Sequence, residues 1–396
     1  MNILQINSGD QGGGACVVSW YIKKILEEFG HNTPMFVVDK RSADENVLVI
    51  PHNKFQIYLS YILSNDIDFY GTDYILKTKE FKTADVVHCH NLHDYFFNIK
   101  TLEKISKLKP VIWTLHDMWA ITSHCAHAYD GSVKNGFFVC PSLKTPPRLT
   151  WNNERYLCWK KSVVYKKSKF HIVVPSLWMK NKIQQSILKD KPISVIHNGV
   201  DTFIFKLLNK ENCRKELHLP TEKKIILYVA NGGKNNIWKG WNYVKEIAKR
   251  YENNKEIIFL CVGGREDKKH TDQNILYIPF VSEPNNMAQY YSAADILLFP
   301  SLAESFGLVL VESLACGTPV VSFEVGIVSE IVTHKKNGYV AKYRDIDDLV
   351  NGLDYFLSLS EEEIIQNRKN MIELVKNNFD KNMMVEKYFK LYQALV

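Results

Sequence analysis

Two glutamates lie eight positions apart in the stretch SLAESFGLVLVESLACGTPVV, residues 301–321. Glu304 follows the strand-like run DILLFP in a short loop, and Glu312 falls near the second turn of the apolar helix that the next residues predict. The N–H groups at the start of such a helix favour a diphosphate or a polarised sugar hydroxyl. A carboxylate held there accepts hydrogen bonds from hydroxyls, and the vicinal hydroxyls of a ribose suit it well.

The same two residues also fit a purely structural role. Glu304 favours a helix start by its charge alone, and Glu312 could lie on the exposed face of an ordinary helix. However, a carboxylate among apolar neighbours needs a partner, and the neighbours of Glu312 are Leu308, Val311, Leu314 and Ala315. The residue types by themselves leave both interpretations open.

Apolar runs of strand length alternate with helix-period segments along the chain, which predicts parallel sheets built from crossover units. In the first half we predict strands at 2–7, 34–38, 84–90, 110–116, 170–175 and 193–197. After VIHNGVD the pattern restarts with KKIILYVANGG, EIIFLCVGG, NILYIPFV, DILLFPS and TPVVSF. Ligands of such sheets bind where the strands end, so function is expected in the loops that follow strands.

The predicted fold is α/β, with two Rossmann-like doubly wound parallel-sheet domains facing across a cleft, and with C-terminal helices. Residues 1–198 form the N-terminal domain in this prediction, and residues 199–375 form the C-terminal domain. Residues 376–396 form a terminal helix that packs back on the N-terminal domain. A chain of 396 residues that is 46% hydrophobic is long and apolar enough for two cores.

Cysteine usage and hydropathy predict a cytoplasmic protein. The N-terminus MNILQINS lacks the features of a secretory signal, and no apolar run approaches the roughly 18 residues of a membrane span. The eight cysteines contain no C-x-x-C pair, which suits a reduced compartment.

The net charge of +7 lies in the first half, where residues 1–200 carry 25 Lys and Arg against 17 Asp and Glu. Residues 141–170 contain eight basic side chains and a single acidic one, with aromatic residues among them. This basic, aromatic segment fits an anionic membrane surface, with contributions from Lys160, Lys161, Lys166 and Lys167. It fits a solvated amphipathic helix equally well.

The run ESFGLVLVESLACGTPVV closely resembles the E-x7-E signature of the retaining, family 4-like glycosyltransferases with the GT-B fold. This family includes many bacterial capsule, O-antigen and colanic acid transferases. Other matching segments follow in the expected order: the glycine-rich loop SGDQGGGA, then TLHDMW, VIHNGVD, WKG and NGYV. The resemblance covers essentially the whole chain, and its context of strand followed by helix makes it specific.

The resemblance implies a role for each matching residue. Glu304 contacts the transferred sugar, Glu312 binds the ribose, and Lys239 of WKG neutralises the diphosphate leaving group, where negative charge grows during transfer. The rest of the donor site in the second domain comprises Ser305, Phe306, Gly307 and Leu308. Taken without the resemblance, Lys239 is an ordinary solvated lysine.

One departure from the family concerns the second cation of the donor site. Members commonly carry an arginine shortly before the lysine of WKG, whereas this chain reads VANGGKNNIWKG. Lys234 is the candidate replacement, as a point charge without the bidentate fork of arginine. In the first domain Gly13 and Gly14 allow close approach of a phosphate or acceptor, although a glycine triplet also fits a tight turn.

His116 ends the strand PVIWTLHD, and the resemblance implies that it touches the donor sugar near the reacting carbon. The segment 116–140 also contains His124, Cys125, His127 and Cys140, a composition that raises the possibility of zinc. It has too few thiols for an all-thiolate site. We therefore expect no metal and no cofactor besides the nucleotide sugar, and expect a loop over the acceptor site.

The sequence predicts a retaining, metal-independent glycosyltransferase that moves a sugar from a nucleoside diphosphate sugar to a growing glycan. The expected acceptor is a glycan or a lipid-diphosphate-linked oligosaccharide at the inner face of the cytoplasmic membrane, and no nucleic-acid partner is expected. Three alternatives remain open: a 2-epimerase, a phosphorylase, and a non-catalytic subunit that binds sugar nucleotides. Product analysis separates the enzymes, because an epimerase needs no acceptor and a phosphorylase needs free phosphate.

Overall fold

The computed structural model describes residues 1–128, 131–264 and 269–396, and it divides the chain into two units. The first unit comprises Met1–His197 together with Met384–Val396, and the second comprises Asn198–Met383. The break between His197 and Asn198 falls inside VIHNGVD. The terminal residues that group with the first unit begin at Met384 rather than at residue 376, because the preceding helix continues to Asn378.

The first unit contains a parallel sheet whose central strands are buried on both faces. Strand β1 is the clearest case, since Ile3, Leu4 and Ile6 have no exposed surface, as expected for a parallel sheet covered by helices. The spatial order is β3-β2-β1-β4-β5-β8-β9, with β6 and β7 forming a separate hairpin. The strands are β1 (Ile3–Gly9), β2 (Met35–Asp39), β3 (Val47–Val49), β4 (Val86–Cys89), β5 (Val111–Thr114), β6 (Val133–Lys134), β7 (Phe137–Phe138), β8 (His171–Val174) and β9 (Ile193–Val195).

The helices of the first unit connect these strands. One of them, α2, begins at a capping box in which Asn53 and Gln56 satisfy each other's backbone N–H groups. The helices are α1 (Gly14–Glu28), α2 (Lys54–Ile62), α3 (Lys79–Thr83), α4 (Ile99–Leu108), α5 (Glu154–Lys167) and α6 (Leu177–Gln184), with short 3₁₀ turns at Thr72–Lys77 and Trp119–Ile121.

The second unit repeats the same architecture, with spatial order β12-β13-β11-β10-β14-β15-β16. Only β12 runs antiparallel to its neighbour among the described pairs. The strands are β10 (Lys224–Val229), β11 (Ile257–Gly264), β12 (His270–Asp272), β13 (Ile275–Pro279), β14 (Ile296–Phe299), β15 (Val320–Phe323) and β16 (Gly338–Ala341). The helices are α7 (Lys210–Glu216), α8 (Trp241–Arg250), α9 (Pro284–Ala293), α10 (Leu308–Ala315), α11 (Val328–Ile331), α12 (Ile346–Leu357) and α13 (Glu361–Asn378), with a 3₁₀ turn at Gly233–Asn235. The last helix, α14 (Lys381–Leu395), belongs to the first unit from Met384 onward.

Every strand predicted from the sequence is present within a few residues, and the two parallel sheets with C-terminal helices confirm the predicted fold class. The sequence analysis missed the hairpin strands β6 and β7, which have two residues each, and it also missed β3, β12 and β16. The last three lie at the edges of the two large sheets and have only three or four residues. Such short edge strands carry too little periodicity to stand out from the loops around them.

The terminal helix α14 is anchored in the first unit by polar contacts as well as by packing. Its buried side chains are Met384, Val385, Tyr388 and Tyr392. The Tyr392 hydroxyl lies 2.7 Å from His88 Nδ1, and the Tyr388 hydroxyl lies 3.0 Å from Thr114 Oγ1. The side chains of the helix therefore reach strands β4 and β5 of the first sheet.

The basic segment 141–170 is less available to a partner than its composition predicts, because two of its lysines are buried. Lys160 is 7% exposed and pairs with Asp68 at 2.9 Å. Lys161 is fully buried and donates to the carbonyl oxygens of Trp119 and Thr122. The prediction that these two lysines contribute to a membrane-facing patch is therefore wrong. No helix within the described ranges is both long enough and apolar enough to cross a bilayer.

Candidate functional site

The loop after β14 leads into the N-terminus of α10, which begins at Leu308. The helix begins there because Gly307 is the N-cap and has a φ of +103°. A Cβ on Gly307 would lie 3.2 Å from the Phe299 ring, so both the conformation and the space favour glycine. No side chain caps this helix. Its first-turn N–H groups are thus positioned for an anionic ligand.

Glu304, in this loop, forms an ion pair with Lys239. The loop that carries Lys239 is tied to the β14 loop by a hydrogen bond from Leu302 N to Trp238 O of 2.8 Å. Gly240 makes this close approach feasible, since its φ is +70° and a Cβ there would lie 2.0 Å from the Pro300 carbonyl oxygen. The structure therefore brings together two residues that are 65 positions apart in sequence.

Between these charged groups and the helix, Ser305 and Phe306 are 7% and 2% exposed. The Phe306 ring packs in the core near Phe379, and its carbonyl oxygen accepts from Ile327 N at 2.9 Å. The side chain of Phe306 thus serves packing. Any role for Phe306 in ligand binding therefore falls to its backbone.

Glu312 lies on a half-buried face of α10, so the interpretation that places it on an exposed helix face is wrong. It lies one turn beyond Leu308, and its Oε2 accepts a hydrogen bond of 2.7 Å from the hydroxyl of Tyr291, a residue with no exposed surface. Burial raises the pKa of Glu312 to about 7, and the hydrogen bond from Tyr291 opposes that rise. The carboxylate is therefore poised between its two protonation states near neutral pH.

Lys234 contacts an aromatic ring of strand β13. Its ammonium lies over the Tyr277 ring, 5.6 Å from the centroid. The role predicted for Lys234 as the second cation stays a prediction.

The glycine-rich loop of the first unit connects β1 to α1, with Gly13 as N-cap and Gly14 as the first helical residue. A Cβ at Gly13 would meet no protein atom within 4 Å, so the fold does not require glycine there. At Gly12, by contrast, φ is +121° and the Arg41 guanidinium lies 3.3 Å from a Cβ position. Arg41, which pairs with Asp39 at 2.6 Å, is a cation that the sequence analysis missed.

His116 belongs to a buried chain of histidine contacts in the first unit. Its Nε2 lies 3.0 Å from His90 Nδ1, and His90 Nε2 lies 2.9 Å from Gln5 Oε1. Burial lowers the pKa of His116 to about 4 and holds the pKa of His90 well below its usual value, so both rings are neutral at pH 7. Because the amide oxygen only accepts, His90 donates from Nε2 and accepts at Nδ1. His116 therefore carries its proton on Nε2, and Nδ1 bears the lone pair.

The aspartate next to His116 has a structural partner. Asp117 Oδ2 lies 2.7 Å from His93 Nε2, and Asp117 Oδ1 accepts from Trp119 N at 2.8 Å. Although burial opposes ionisation, the charge on His93 lowers the pKa of Asp117 to about 2, and the acidic partners raise the pKa of His93 well above its usual value. This ion pair fixes the backbone that carries His116.

Side chains of the His and Cys segment 116–140 form a cluster that is held together by a disulfide and by hydrogen bonds of Ser123. Cys125 and Cys140 form a disulfide, so the expectation that the cysteines of this chain remain thiols is wrong for this pair. Donor atoms of His124, Cys140 and Glu154 lie within 4.8 Å of one another. The hydroxyl of Ser123 contacts all three, at 3.0, 3.3 and 2.7 Å respectively. A disulfide sulfur is not a thiolate ligand, and residues 129 and 130 of the segment lie outside the described ranges.

Sequence profiles of known families match most of the chain. Residues 12–202 match the profile described as Glycosyltransferase Family 4, and residues 209–377 match the one described as Glycosyl transferases group 1. The two matches fall in the first and second unit, apart from the few residues around the break.

Two relatives and one solved structure illustrate the similarity. N-acetyl-alpha-D-glucosaminyl L-malate synthase of Bacillus anthracis is 24% identical over 54% of this chain, and the chain spans only 56% of that enzyme's length. The putative colanic acid biosynthesis glycosyl transferase WcaC of Escherichia coli K12 is 23% identical over 100% of both chains. The crystal structure of Anabaena HepE in complex with UDP-glucose has a TM-score of 0.71 at 15% identity and covers 99% of each chain, a likeness in fold.

Proposed function

The chain belongs to the GT-B glycosyltransferases that join a family 4 domain to a group 1 domain, and on that premise we propose that it transfers a sugar from a nucleoside diphosphate sugar to a growing glycan. We further propose retention of the anomeric configuration and no need for a metal. The ion pair of Lys239 and Glu304 beside the start of α10 is the observation that carries the proposal. It combines an ammonium for a phosphate, a carboxylate for sugar hydroxyls and a helix N-terminus in one place.

In this proposal the donor displaces the internal ion pair. Lys239 turns to the diphosphate, whose negative charge grows as the bond to the sugar breaks, and Glu304 accepts hydrogen bonds from the sugar. Glu312, held by Tyr291, accepts from the ribose hydroxyls. The first-turn N–H groups of α10 stabilise the phosphate without a metal ion.

The chemical step exchanges one bond at the anomeric carbon for another. The acceptor hydroxyl attacks on the face that the leaving phosphate departs from, the carbon–phosphate oxygen bond breaks, and the hydroxyl proton passes to that phosphate oxygen. This front-face route is proposed because the site residues include no carboxylate assigned as a nucleophile. The transition state has oxocarbenium character, which Glu304 stabilises by orienting the sugar.

In the first unit, we assign His116 and the glycine-rich loop to ligand contacts. His116 is proposed to contact the donor sugar near the reacting carbon. Gly13 and Gly14 leave room for the donor diphosphate or the acceptor at the start of α1. His116 thus orients the sugar, and no proton transfer by its ring is required.

The proposed acceptor is a lipid-diphosphate-linked oligosaccharide of a bacterial surface polysaccharide, reached at the cytoplasmic face of the membrane. The relation to WcaC, named for colanic acid biosynthesis, supports a polysaccharide product. The fold shared with HepE, which was solved with UDP-glucose, supports a nucleotide-sugar donor.

A donor screen tests the proposal. Purified protein is incubated with UDP- and GDP-sugars in the presence of EDTA, and release of the nucleotide is measured with and without a polyprenyl diphosphate-linked acceptor. We expect release with one donor, which Glu304→Ala abolishes and Glu373→Gln, an exposed control on α13, leaves unchanged. NMR of the product is expected to show the donor's anomeric configuration.

Other outcomes of the same screen identify the alternatives. A changed sugar without any acceptor indicates an epimerase, and dependence on inorganic phosphate indicates a phosphorylase. Binding of a donor without turnover under every condition indicates a non-catalytic subunit. Equal turnover by Glu304→Ala contradicts the site assignment itself.

A further inference from the structure

Helix α2 of the first unit turns large apolar and aromatic side chains toward solvent. Phe55, Tyr58 and Ile62 are 65%, 60% and 47% exposed and share one helical face by their spacing of three and four positions. Tyr61, 44% exposed, adjoins this face. Single exposed apolar residues are ordinary, but a contiguous group of this kind marks an interaction surface.

A tryptophan from another segment extends this face into a continuous patch. The indole N–H of Trp151, 48% exposed, donates to the carbonyl oxygen of Ile62 at 2.8 Å. The Tyr61 ring lies 4.9 Å from the ring of Tyr95. We call the group of Phe55, Tyr58, Tyr61, Ile62 and Trp151 the α2 surface.

The orientation of α2 is fixed by its opposite side. Ser60 is buried and its hydroxyl lies 2.5 Å from the Tyr70 hydroxyl. Thr150, the neighbour of Trp151, donates from Oγ1 to the Tyr61 carbonyl oxygen at 2.6 Å. The outward display of aromatic residues is therefore built into the packing of the helix.

Exposed basic side chains lie in the two segments that carry the α2 surface. Residues 51–65 and 141–153 contain Lys54, Lys144 and Arg148 and no acidic residue, and all three cations are exposed. The acidic residue beside Tyr95, Asp94, pairs with His93 at 3.0 Å, and this contact raises the pKa of His93. The α2 surface is thus a patch of aromatic and aliphatic side chains flanked by basic ones.

We propose that the α2 surface docks this protein on an anionic lipid bilayer, with α2 lying in the plane of the interface. Tyrosine and tryptophan favour the headgroup region because one end of each side chain is apolar and the other polar, and lysine and arginine bind acidic headgroups. This inference rests on the proposed function, because docking on a membrane brings the enzyme to a lipid-linked acceptor. In this proposal α2 and Trp151 form the membrane contact, because Lys160 and Lys161 are buried.

Co-sedimentation with vesicles tests the docking. The full-length protein is mixed with vesicles of phosphatidylcholine alone or of phosphatidylcholine with phosphatidylglycerol, and binding is expected with the second kind. The double variant Phe55→Ser, Ile62→Ser is expected to bind about tenfold more weakly. Phe29→Ser is the matched control, because Phe29 is 71% exposed in the same unit but lies outside the α2 surface, and its binding stays unchanged.

The basic residues are tested separately. Lys54→Gln and Arg148→Gln are each expected to weaken binding about fivefold on anionic vesicles, with a smaller effect at high salt. Arg148→Gln retains the backbone carbonyl that accepts from Tyr95. Nucleotide-sugar binding, measured by calorimetry without lipid, is expected to stay unchanged in all of these variants, so failure of the docking and failure of the proposed function are distinguished.

Three results overturn the inference. The first is no vesicle binding by the wild-type protein, and the second is equal binding by Phe55→Ser, Ile62→Ser. The third is a dimer in sedimentation velocity that the double variant dissociates while vesicle binding persists, since this assigns the α2 surface to a second copy of the chain.

Discussion

Lys239 and Glu304 neutralise each other across two loops of the second unit, one before α8 and the other before α10. The two side chains are 21% and 11% exposed, so the pair is shielded enough for the loss of one partner to matter. A donor diphosphate that replaces Glu304 as the partner of Lys239 leaves the carboxylate available to the sugar. In the proposed reaction, binding of the donor therefore also releases Glu304 from Lys239 so that it contacts the sugar.

The first prediction concerns this pair. Lys239→Gln is expected to lower kcat by roughly 10²- to 10³-fold, because the charge that develops on the leaving phosphate loses its ammonium. Steady-state release of nucleotide from the preferred donor measures it. Lys245→Gln, an exposed lysine on α8, is the control and keeps wild-type kcat. An effect of Lys239→Gln confined to KM would assign the lysine to ground-state binding only.

The second prediction is a pH dependence of donor affinity. Glu312 has a pKa of about 7, so its carboxylate is mostly ionised at pH 8 and mostly protonated at pH 6. If the ionised form accepts the ribose hydroxyls, donor affinity falls as pH decreases through 7. Calorimetry across this range checks it, and Glu312→Gln is expected to show weak binding that no longer varies with pH. A wild-type pH dependence that survives in Glu312→Gln would assign it to another group.

The third prediction is that Glu312 reduces stability at alkaline pH. Its folded pKa lies above the ordinary glutamate value of 4.5, so the folded state holds the extra proton, and stability declines as pH rises from about 4.5 to about 7. Glu312→Gln is therefore expected to raise the free energy of unfolding at pH 8 by on the order of 1–3 kcal/mol. Urea denaturation at pH 8 and pH 5 measures it, with little gain at pH 5. A loss of stability at pH 8 would contradict the stated cause.

The fourth prediction is the tautomer of His116. Two-bond ¹H–¹⁵N correlation spectra are expected to show the neutral ring with its proton on Nε2 down to about pH 5, because the pKa is about 4. Gln5→Leu removes the acceptor that orients His90, and a mixture of His116 tautomers is then expected with reduced kcat. A dominant Nδ1–H form in the wild-type protein would show that the amide of Gln5 is turned the other way.

The fifth prediction contrasts two glycines. Gly240→Ala is expected to destabilise the protein by about 3 kcal/mol or more, because its φ of +70° and the contact with the Pro300 carbonyl oxygen both oppose a side chain. Gly13→Ala meets no protein atom and is expected to cost less than about 1 kcal/mol while weakening donor binding. Thermal unfolding and calorimetry check the two effects. Equal stability losses would contradict the assignment of Gly13 to a ligand.

The sequence predicted the strand and helix that carry the site better than it predicted the contacts between distant residues. The sequence predicted the position of Glu304 after β14 and the helix that follows it, because a buried strand and an apolar helix each leave a local pattern of several residues. The contact of Glu312 with Tyr291 was not, because the two residues are 21 positions apart and Tyr291 resembles any core aromatic in α9. Arg41 and His90 were missed for the same reason.

Local patterning thus determined the α/β class, the repeated parallel sheets and the strand ends that carry Glu304 and His116, since burial on a strand or helix imposes a periodicity on neighbouring residues. Only the tertiary structure decided that Lys239 pairs with Glu304, that Lys160 and Lys161 are buried, that Cys125 joins Cys140, and that α2 turns its aromatic face outward. These features depend on which distant segments meet, and that is set by strand order, register and loop path, none of which leaves a repeating signal in the sequence.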